Sequence, residues 1–292
     1  MATHISGLFR YPVKSLGGEE VERLDIRRSG PVGDRNWAIF NAETNEIRSA
    51  KRWPALLNLR ARYLEEPKAD AFDGAVSPVE LKAPDGTRRE SAAPDIAEWL
   101  SAQLGRAASI LPRAPASRKE HYRLARGHRD PAEIAADIEL LSDEPLPDFS
   151  APTDAHLAQL QIYATPPGSY VDAYPLHLLS RNSLASLAGQ SGLDTNVLRF
   201  RPNLVVSVDG GSDWPELDWI GRRLSVGGAV VSVRSGTTRC SMPARSQTMM
   251  GVAAEPALTR AIVDRCRRVL GTNLVVEREG IVSLGDPVTL LD

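Results

Sequence analysis

The chain has 292 residues, with 35 Lys and Arg against 37 Asp and Glu for a net charge of −2, 42% apolar residues and two cysteines. Such a balance excludes wholesale disorder and a broad nucleic-acid-binding face. Two cysteines exclude a disulfide-stapled small fold and a four-cysteine zinc site, and the length suits one or two domains with sizeable cores.

The N-terminus, Met1 to Leu16, has neither the apolar run nor the small-residue cleavage pattern of a secretion signal. No stretch approaches the roughly 18–20 unbroken apolar residues of a membrane-spanning helix. The expected location is the cytoplasm, with both thiols free and no membrane or nucleic-acid partner.

Along the chain, a short apolar run leads into Tyr11-Pro-Val-Lys14-Ser15-Leu-Gly-Gly18. A Lys-Ser pair beside two glycines can offer an ammonium, a hydroxyl and open N–H groups to an anion. The same residues also suit an exposed loop before a hairpin. Next, Gly30-Pro-Val-Gly-Asp34-Arg35-Asn36 feeds the strand-like run Trp37–Phe40. The planar fork of Arg35 suits phosphate oxygens, although an Asp34–Arg35 pair could simply brace the turn. A helix is expected from Pro94 to Leu104, stopped by Gly105.

Between Pro112 and Pro152 the composition shifts to charged and Pro-rich sequence, with a helical stretch at Pro131–Leu141. This reads as a linker or insertion. The expected organisation is therefore an N-terminal domain at 1–113, a linker at 114–153 and a C-terminal domain at 154–292.

A short helix is expected at Ser180–Gly189. Arg199-Phe-Arg201-Pro202-Asn203 then precedes the strand Leu204–Val208. Pro202 favours extended geometry at Arg201, and one of the two arginines is expected to reach a ligand while the other meets solvent. The strand Ala229–Val233 runs into Arg234-Ser-Gly-Thr237-Thr238-Arg239-Cys240, where a thiol sits among polar residues beside Arg239. Nearby positive charge favours the thiolate, the form that attacks or binds a soft metal. Pro256 to Leu270 reads as a helix stopped by Gly271, with Leu258, Ile262, Cys266 and Val269 along one face. Cys266 thus reads as core. Leu274–Val276 is another strand-like run.

Short β-branched runs punctuated by Gly, Asp and Pro favour a mainly β fold with flanking helices. No dinucleotide-binding G-x-G-x-x-G, P-loop or H-E-x-x-H motif is present. The five histidines (4, 121, 128, 156, 177) are scattered, which gives no support to a zinc site. What remains is an Arg-rich anion pocket at strand ends beside a thiol.

The order of six motifs is recognisable: Tyr11-Pro-Val-Lys-Ser15, Gly33-Asp-Arg-Asn-Trp37, Asp172-Ala-Tyr-Pro-Leu-His-Leu-Leu-Ser180, Arg199-Phe-Arg-Pro-Asn203, Thr238-Arg-Cys240 and Gly285-Asp-Pro-Val288. Together they resemble the MOSC-domain family, and within it the mitochondrial amidoxime-reducing components and their bacterial relatives. The resemblance implies an N-terminal β-barrel domain, a C-terminal MOSC β-barrel and a molybdenum cofactor, a pterin with a dithiolene and a terminal phosphate. It implies that Cys240 is the metal ligand and catalytic centre. It places Lys14, Ser15, Arg35, Ser180, Arg201, Asn203, Thr238, Arg239 and, in the Gly271-Thr-Asn273 stretch, Asn273 at the cofactor. The implied activity is reduction of N-hydroxylated or other N–O small molecules. Electrons would come from a separate ferredoxin, flavoprotein or cytochrome, since no redox motif is visible in the chain.

The alternative is a carrier of the cofactor, or of a persulfide on Cys240, without turnover. Three departures from the family pattern stand out. Thr237 replaces the second Cys found in many relatives, segment 114–153 lacks a clear counterpart, and neither a ferredoxin domain nor a pyridoxal-phosphate desulfurase domain is expected.

Overall fold

A computed structural model describes residues 3–124, 136, 138–144, 159 and 161–291. Most of the expected helix at Pro131–Leu141 and much of the expected linker lie outside the described residues.

The strands run in chain order as β1 (Thr3–Arg10), β2 (Glu19–Glu20), β3 (Arg23–Arg27), β4 (Gly30–Pro31), β5 (Trp37–Asn41), β6 (Glu46–Ile47), β7 (Arg60–Tyr63), β8 (Val79–Lys82) and β9 (Arg88–Glu90). They continue as β10 (Ala108–Pro112), β11 (Leu176–Ser180), β12 (Leu204–Val208), β13 (Arg223–Val226), β14 (Ala229–Thr238), β15 (Val269–Arg278), β16 (Gly280–Ser283) and β17 (Val288–Leu291). The described helices are α1 (Ile96–Leu104), α2 (Arg181–Ser191) and α3 (Leu258–Cys266). The mainly β reading with flanking helices holds.

An eight-stranded sheet runs β17-β13-β14-β15-β11-β12-β1-β2. Its neighbours are antiparallel except β11 and β12, which run parallel with α2 in the crossover. A bridge between His4 and Pro287 brings the β17 end back against β1, so the sheet curls toward a barrel. Inside it, Ile5 and Leu8 meet Leu178, Val206, Val231, Leu274 and Val276. The N-terminal strands thus pair with the C-terminal half: β1 joins the eight-stranded sheet through β12, and β3 and β4 form a separate three-stranded sheet with β16.

The sheets β10-β5-β6 and β7-β8-β9 close with α1 around a second core containing Trp37, Ile39, Trp53, Leu56, Leu81, Trp99 and Leu100. Met242 and the partly buried Cys240, both from the C-terminal half, pack on this second core. The chain crosses between the two cores in both directions, and the crossing segments carry the candidate residues.

Helix α1 ends as expected, with Gly105 in the left-handed region at φ 66°. Helix α3 does not. It stops at Cys266, because Arg267 and Arg268 adopt φ 49° and 64° and turn the chain into β15. Gly271 therefore stops no helix and lies within a strand. Val269, the last member of that apolar period, is the first residue of β15, and its neighbour Leu270 buries against the layer of Leu258 and Ile262.

Leu8 is fully buried, so Leu8→Ala is expected to cost ~2–5 kcal/mol in urea denaturation. Leu290→Ala, on an exposed position of β17, should stay within ~0.5 kcal/mol.

Candidate anion-binding site beside Cys240

Tyr11 and the Asp34-Arg35 turn are laced together. The Asp34 carboxylate accepts from the Tyr11 N–H at 2.8 Å, and the Arg35 N–H donates to the Tyr11 carbonyl at 2.7 Å. Lys14 follows, its N–H donating to the Trp37 carbonyl at 2.8 Å. Ser15, Arg35 and Arg201 all take positive φ, 69°, 49° and 54°. Non-glycine residues adopt this conformation when their surroundings over-determine it, as happens at ligand sites.

Lys14 is buried, with its ammonium donating to the Tyr170 carbonyl at 3.0 Å and paired with Asp172. Burial pulls the Lys14 pKa down, and Asp172 offsets part of that. The Ser15 hydroxyl accepts from the Ala50 N–H at 3.0 Å. Arg35 pairs with Asp34 and reaches the Asn203 Oδ1 at 3.3 Å and the Arg201 carbonyl at 3.4 Å. Asn203, buried, accepts from the His177 N–H at 3.3 Å and donates to the Phe9 carbonyl at 3.2 Å.

Arg201 donates one nitrogen to the Leu16 carbonyl, while its buried Nη2 has no partner among the described residues. Burial and the charge of Arg35 pull its pKa down to about 10, which leaves it cationic at neutral pH. Arg239 donates to the Leu270 carbonyl at 2.8 Å and the Phe200 carbonyl at 3.0 Å, and its Nη2 lies 2.6 Å from His177 Nε2. Burial likewise brings Arg239 to about 10. Burial and Arg239 hold the His177 pKa well below its ordinary value, so His177 is the neutral acceptor of that contact.

Gly271 makes room for the pair: at φ 78°, a Cβ there would lie 2.6 Å from His177 Nε2. The Cys240 loop is braced from behind, where the Arg239 N–H donates to the Arg268 carbonyl at 2.8 Å and Arg268 Nη1 returns to the Arg239 carbonyl at 2.9 Å. Arg268 is itself paired with Glu144.

Three cations, Lys14, Arg35 and Arg201, therefore gather around the two carboxylates Asp34 and Asp172, while Arg239 feels Glu216 and the neighbouring Cys240. A low-dielectric cluster with surplus positive charge suits an anion. Half-buried Cys240 follows Arg239 directly.

Other candidates stand differently. Ser180 caps α2, accepting from the Ser183 N–H, and its hydroxyl donates to buried Glu216. That gives the hydroxyl partners within the fold. Asn273 ties β15 to β14, accepting from Thr237 Oγ1 at 3.0 Å and donating to Ser235 Oγ at 3.1 Å. Thr238 lies exposed at the end of β14, opposite Val269. Arg199 does not meet solvent: it is buried against Asp194 and the Pro243 carbonyl. The extended geometry expected at 199–201 is absent, because Val197–Arg199 forms a 3-10 turn and Arg201 is left-handed.

Sequence reasoning assigned no role to Tyr11, Asp172 or His177, although each sits in a motif it singled out. Cys266 packs partly into the helix layer, and burial raises its thiol to about 12, as a core cysteine should behave. Among the described residues, no three His, Cys, Asp or Glu side chains converge as metal ligands, and no helix is long and apolar enough to cross a membrane.

Two outcomes follow from this geometry. Ser180→Ala should lower stability by ~1–3 kcal/mol through loss of the cap and the Glu216 partner, while ligand content per folded molecule stays unchanged. His177 is neutral when folded but has an ordinary pKa of about 6.5 when unfolded. The unfolded chain then binds the extra proton, so stability is present above that pH and lost as pH falls below it. His177→Asn should flatten this acid limb by one proton per molecule in denaturation curves taken from pH 8 downward.

Residues 2–107 match the MOSC N-terminal beta barrel domain, and residues 165–289 match the MOSC domain. The human mitochondrial amidoxime-reducing component 1 is 26% identical, over 98% of this chain and 82% of that protein. A molybdenum cofactor sulfurase of Oryza sativa is also 26% identical, over 82% of this chain but only 28% of its own length. Among solved structures, the YuaD protein from Bacillus subtilis aligns over 99% of this chain and 96% of its own, with 14% identity and a TM-score of 0.45. YiiM from Geobacillus stearothermophilus aligns over 41% of this chain and 55% of its own, with 19% identity and a TM-score of 0.32. With its paired matches at 2–107 and 165–289, the chain is a MOSC-domain protein that carries the MOSC N-terminal β-barrel domain.

Proposed function

We propose that this protein binds a molybdenum cofactor between its two cores and uses it to reduce N-hydroxylated or related N–O small molecules. The observation that carries the proposal is the surplus of buried cations beside Cys240, with one guanidinium nitrogen of Arg201 left unpartnered. That donor set fits a phosphate-bearing cofactor, and a thiol in the adjoining loop fits a soft metal. The likeness to the amidoxime-reducing component over nearly the whole chain supports the reductase reading.

When bound, the cofactor would supply two-electron redox chemistry at its metal. The chain's residues would do the rest. Lys14, Arg35 and Arg201 would neutralise the phosphate, with Asn203 orienting Arg35 through its Oδ1. Arg239, held by the Leu270 and Phe200 carbonyls and by neutral His177, would keep the loop in place so that Cys240 presents its sulfur. Ser15, Thr238 and Asn273 would line or brace the same pocket, while Ser180 supports it from the α2 cap. Electrons would be delivered by a separate donor protein.

Protein from a cofactor-competent host should contain molybdenum and pterin near one per chain. It should reduce an N-hydroxylated amidine with reduced methyl viologen as electron source. Cys240→Ser should lose the metal or the activity while keeping the parent's melting temperature. Metal-free and pterin-free parent protein from that host would sink the proposal. Bound cofactor without reduction would favour the carrier role instead.

A further inference from the structure

The pocket contains an aromatic hub. Arg35 and Arg201 both pack on the ring of Tyr11, with guanidinium carbons 4.8 and 4.2 Å from its centroid. Two like charges this close repel, and the negative face of the ring offsets part of that repulsion. Gly18 packs directly on one edge of the ring: a Cβ there would lie 2.6 Å from Tyr11 Cδ1 and 2.4 Å from the Arg10 carbonyl oxygen.

The Tyr11 hydroxyl is buried and has no hydrogen-bond partner among the described residues. Other buried tyrosines behave differently. Tyr63 donates to the Gly33 carbonyl, Tyr122 to the Ala114 carbonyl and Tyr170 to the Pro112 carbonyl. The second unpartnered donor is Nη2 of Arg201, on the guanidinium that rests on the Tyr11 ring. Buried donors are normally satisfied, and two orphans on one packed pair call for a group that brings acceptors.

We propose that Tyr11 is a ligand-binding residue of this pocket, its hydroxyl donating together with Arg201 Nη2 to the oxygens of a phosphate monoester dianion. The proposal rests on the cofactor-pocket reading and adds to it a contact outside the Lys-Ser and Arg set. A phosphate dianion supplies several acceptor oxygens and the negative charge that the surrounding cations lack. An ammonium ligand would add a like charge and bring no acceptor, and a neutral amide would leave the positive charge unmatched.

The test uses full-length cofactor-free protein, inorganic phosphate as the probe, and Tyr11→Phe, which keeps the ring on which both arginines rest. Without phosphate, Tyr11→Phe should melt no lower than the parent, because the hydroxyl it loses had no partner. With phosphate, the parent should gain thermal stability, and calorimetric affinity should fall about tenfold or more in Tyr11→Phe, the usual consequence of removing one donor from a charged ligand. Arg201→Lys, which lacks Nη2, should weaken binding in the same way.

Equal phosphate affinity in parent and Tyr11→Phe overturns the role of Tyr11 and leaves the cofactor reading standing. A phosphate-free Tyr11→Phe that melts well below the parent also overturns it, since the hydroxyl then has a structural partner. A parent that binds no phosphate at millimolar concentration removes the anion pocket on which both readings rest.

Discussion

Keeping Lys14, Arg201 and Arg239 buried, with Arg35 largely so, is the constraint on which the arrangement of this molecule depends. Removing a charge from water is expensive even when partners are supplied, by several kcal/mol per ion. The chain offsets this cost mainly with backbone. The carbonyls of Leu16, Phe200, Arg201, Leu270 and Tyr170 all accept from these cations. A carbonyl dipole stabilises a guanidinium without cancelling its charge. The site therefore stays cationic while most of its donors are satisfied.

Those carbonyls come from segments far apart in the chain, which explains why the two halves cannot be treated as independent beads. Strand β1 must pair with β12 to bring Tyr11 and Lys14 beside Arg201 and Asn203. The loop after β14 must reach the N-terminal core, where Met242 and Cys240 pack, for the thiol to lie at the same junction. Left-handed backbone at Ser15, Arg35 and Arg201 turns the chain sharply at three of these crossings. Such strain persists because hydrogen bonds on both sides hold each segment in place.

Several expectations failed for reasons that local pattern could not supply. The period from Leu258 to Val269 looked like one helix, yet Val269 belongs to a strand whose next residue, Leu270, shares the buried layer of the helix. Burial, not helical repeat, set the apolar spacing there. Arg199 and Arg201 were expected to part, one to a ligand and one to solvent, but both are buried, and Arg199 at the end of a 3-10 turn holds the Pro243 carbonyl. Ser180 gains partners that its motif does not foretell, a helix cap and Glu216, 36 residues away. Pairings of that kind leave no mark on neighbouring residues.

Short β-branched runs, frequent Gly and Pro, and the composition were enough to determine a mainly β chain with few helices, because strand and turn preferences act over a handful of residues. The spacing of Lys, Arg, Ser and Cys at strand ends was enough to point to an anion beside a thiol, because charge and softness belong to the residues themselves. Only the tertiary structure decided which hydroxyls and guanidiniums are already taken and which are left over. Ser180 is committed, whereas Tyr11 and one nitrogen of Arg201 are not. That distinction depends on partners brought from distant parts of the chain by sheet pairing and core packing, and a linear pattern does not carry it.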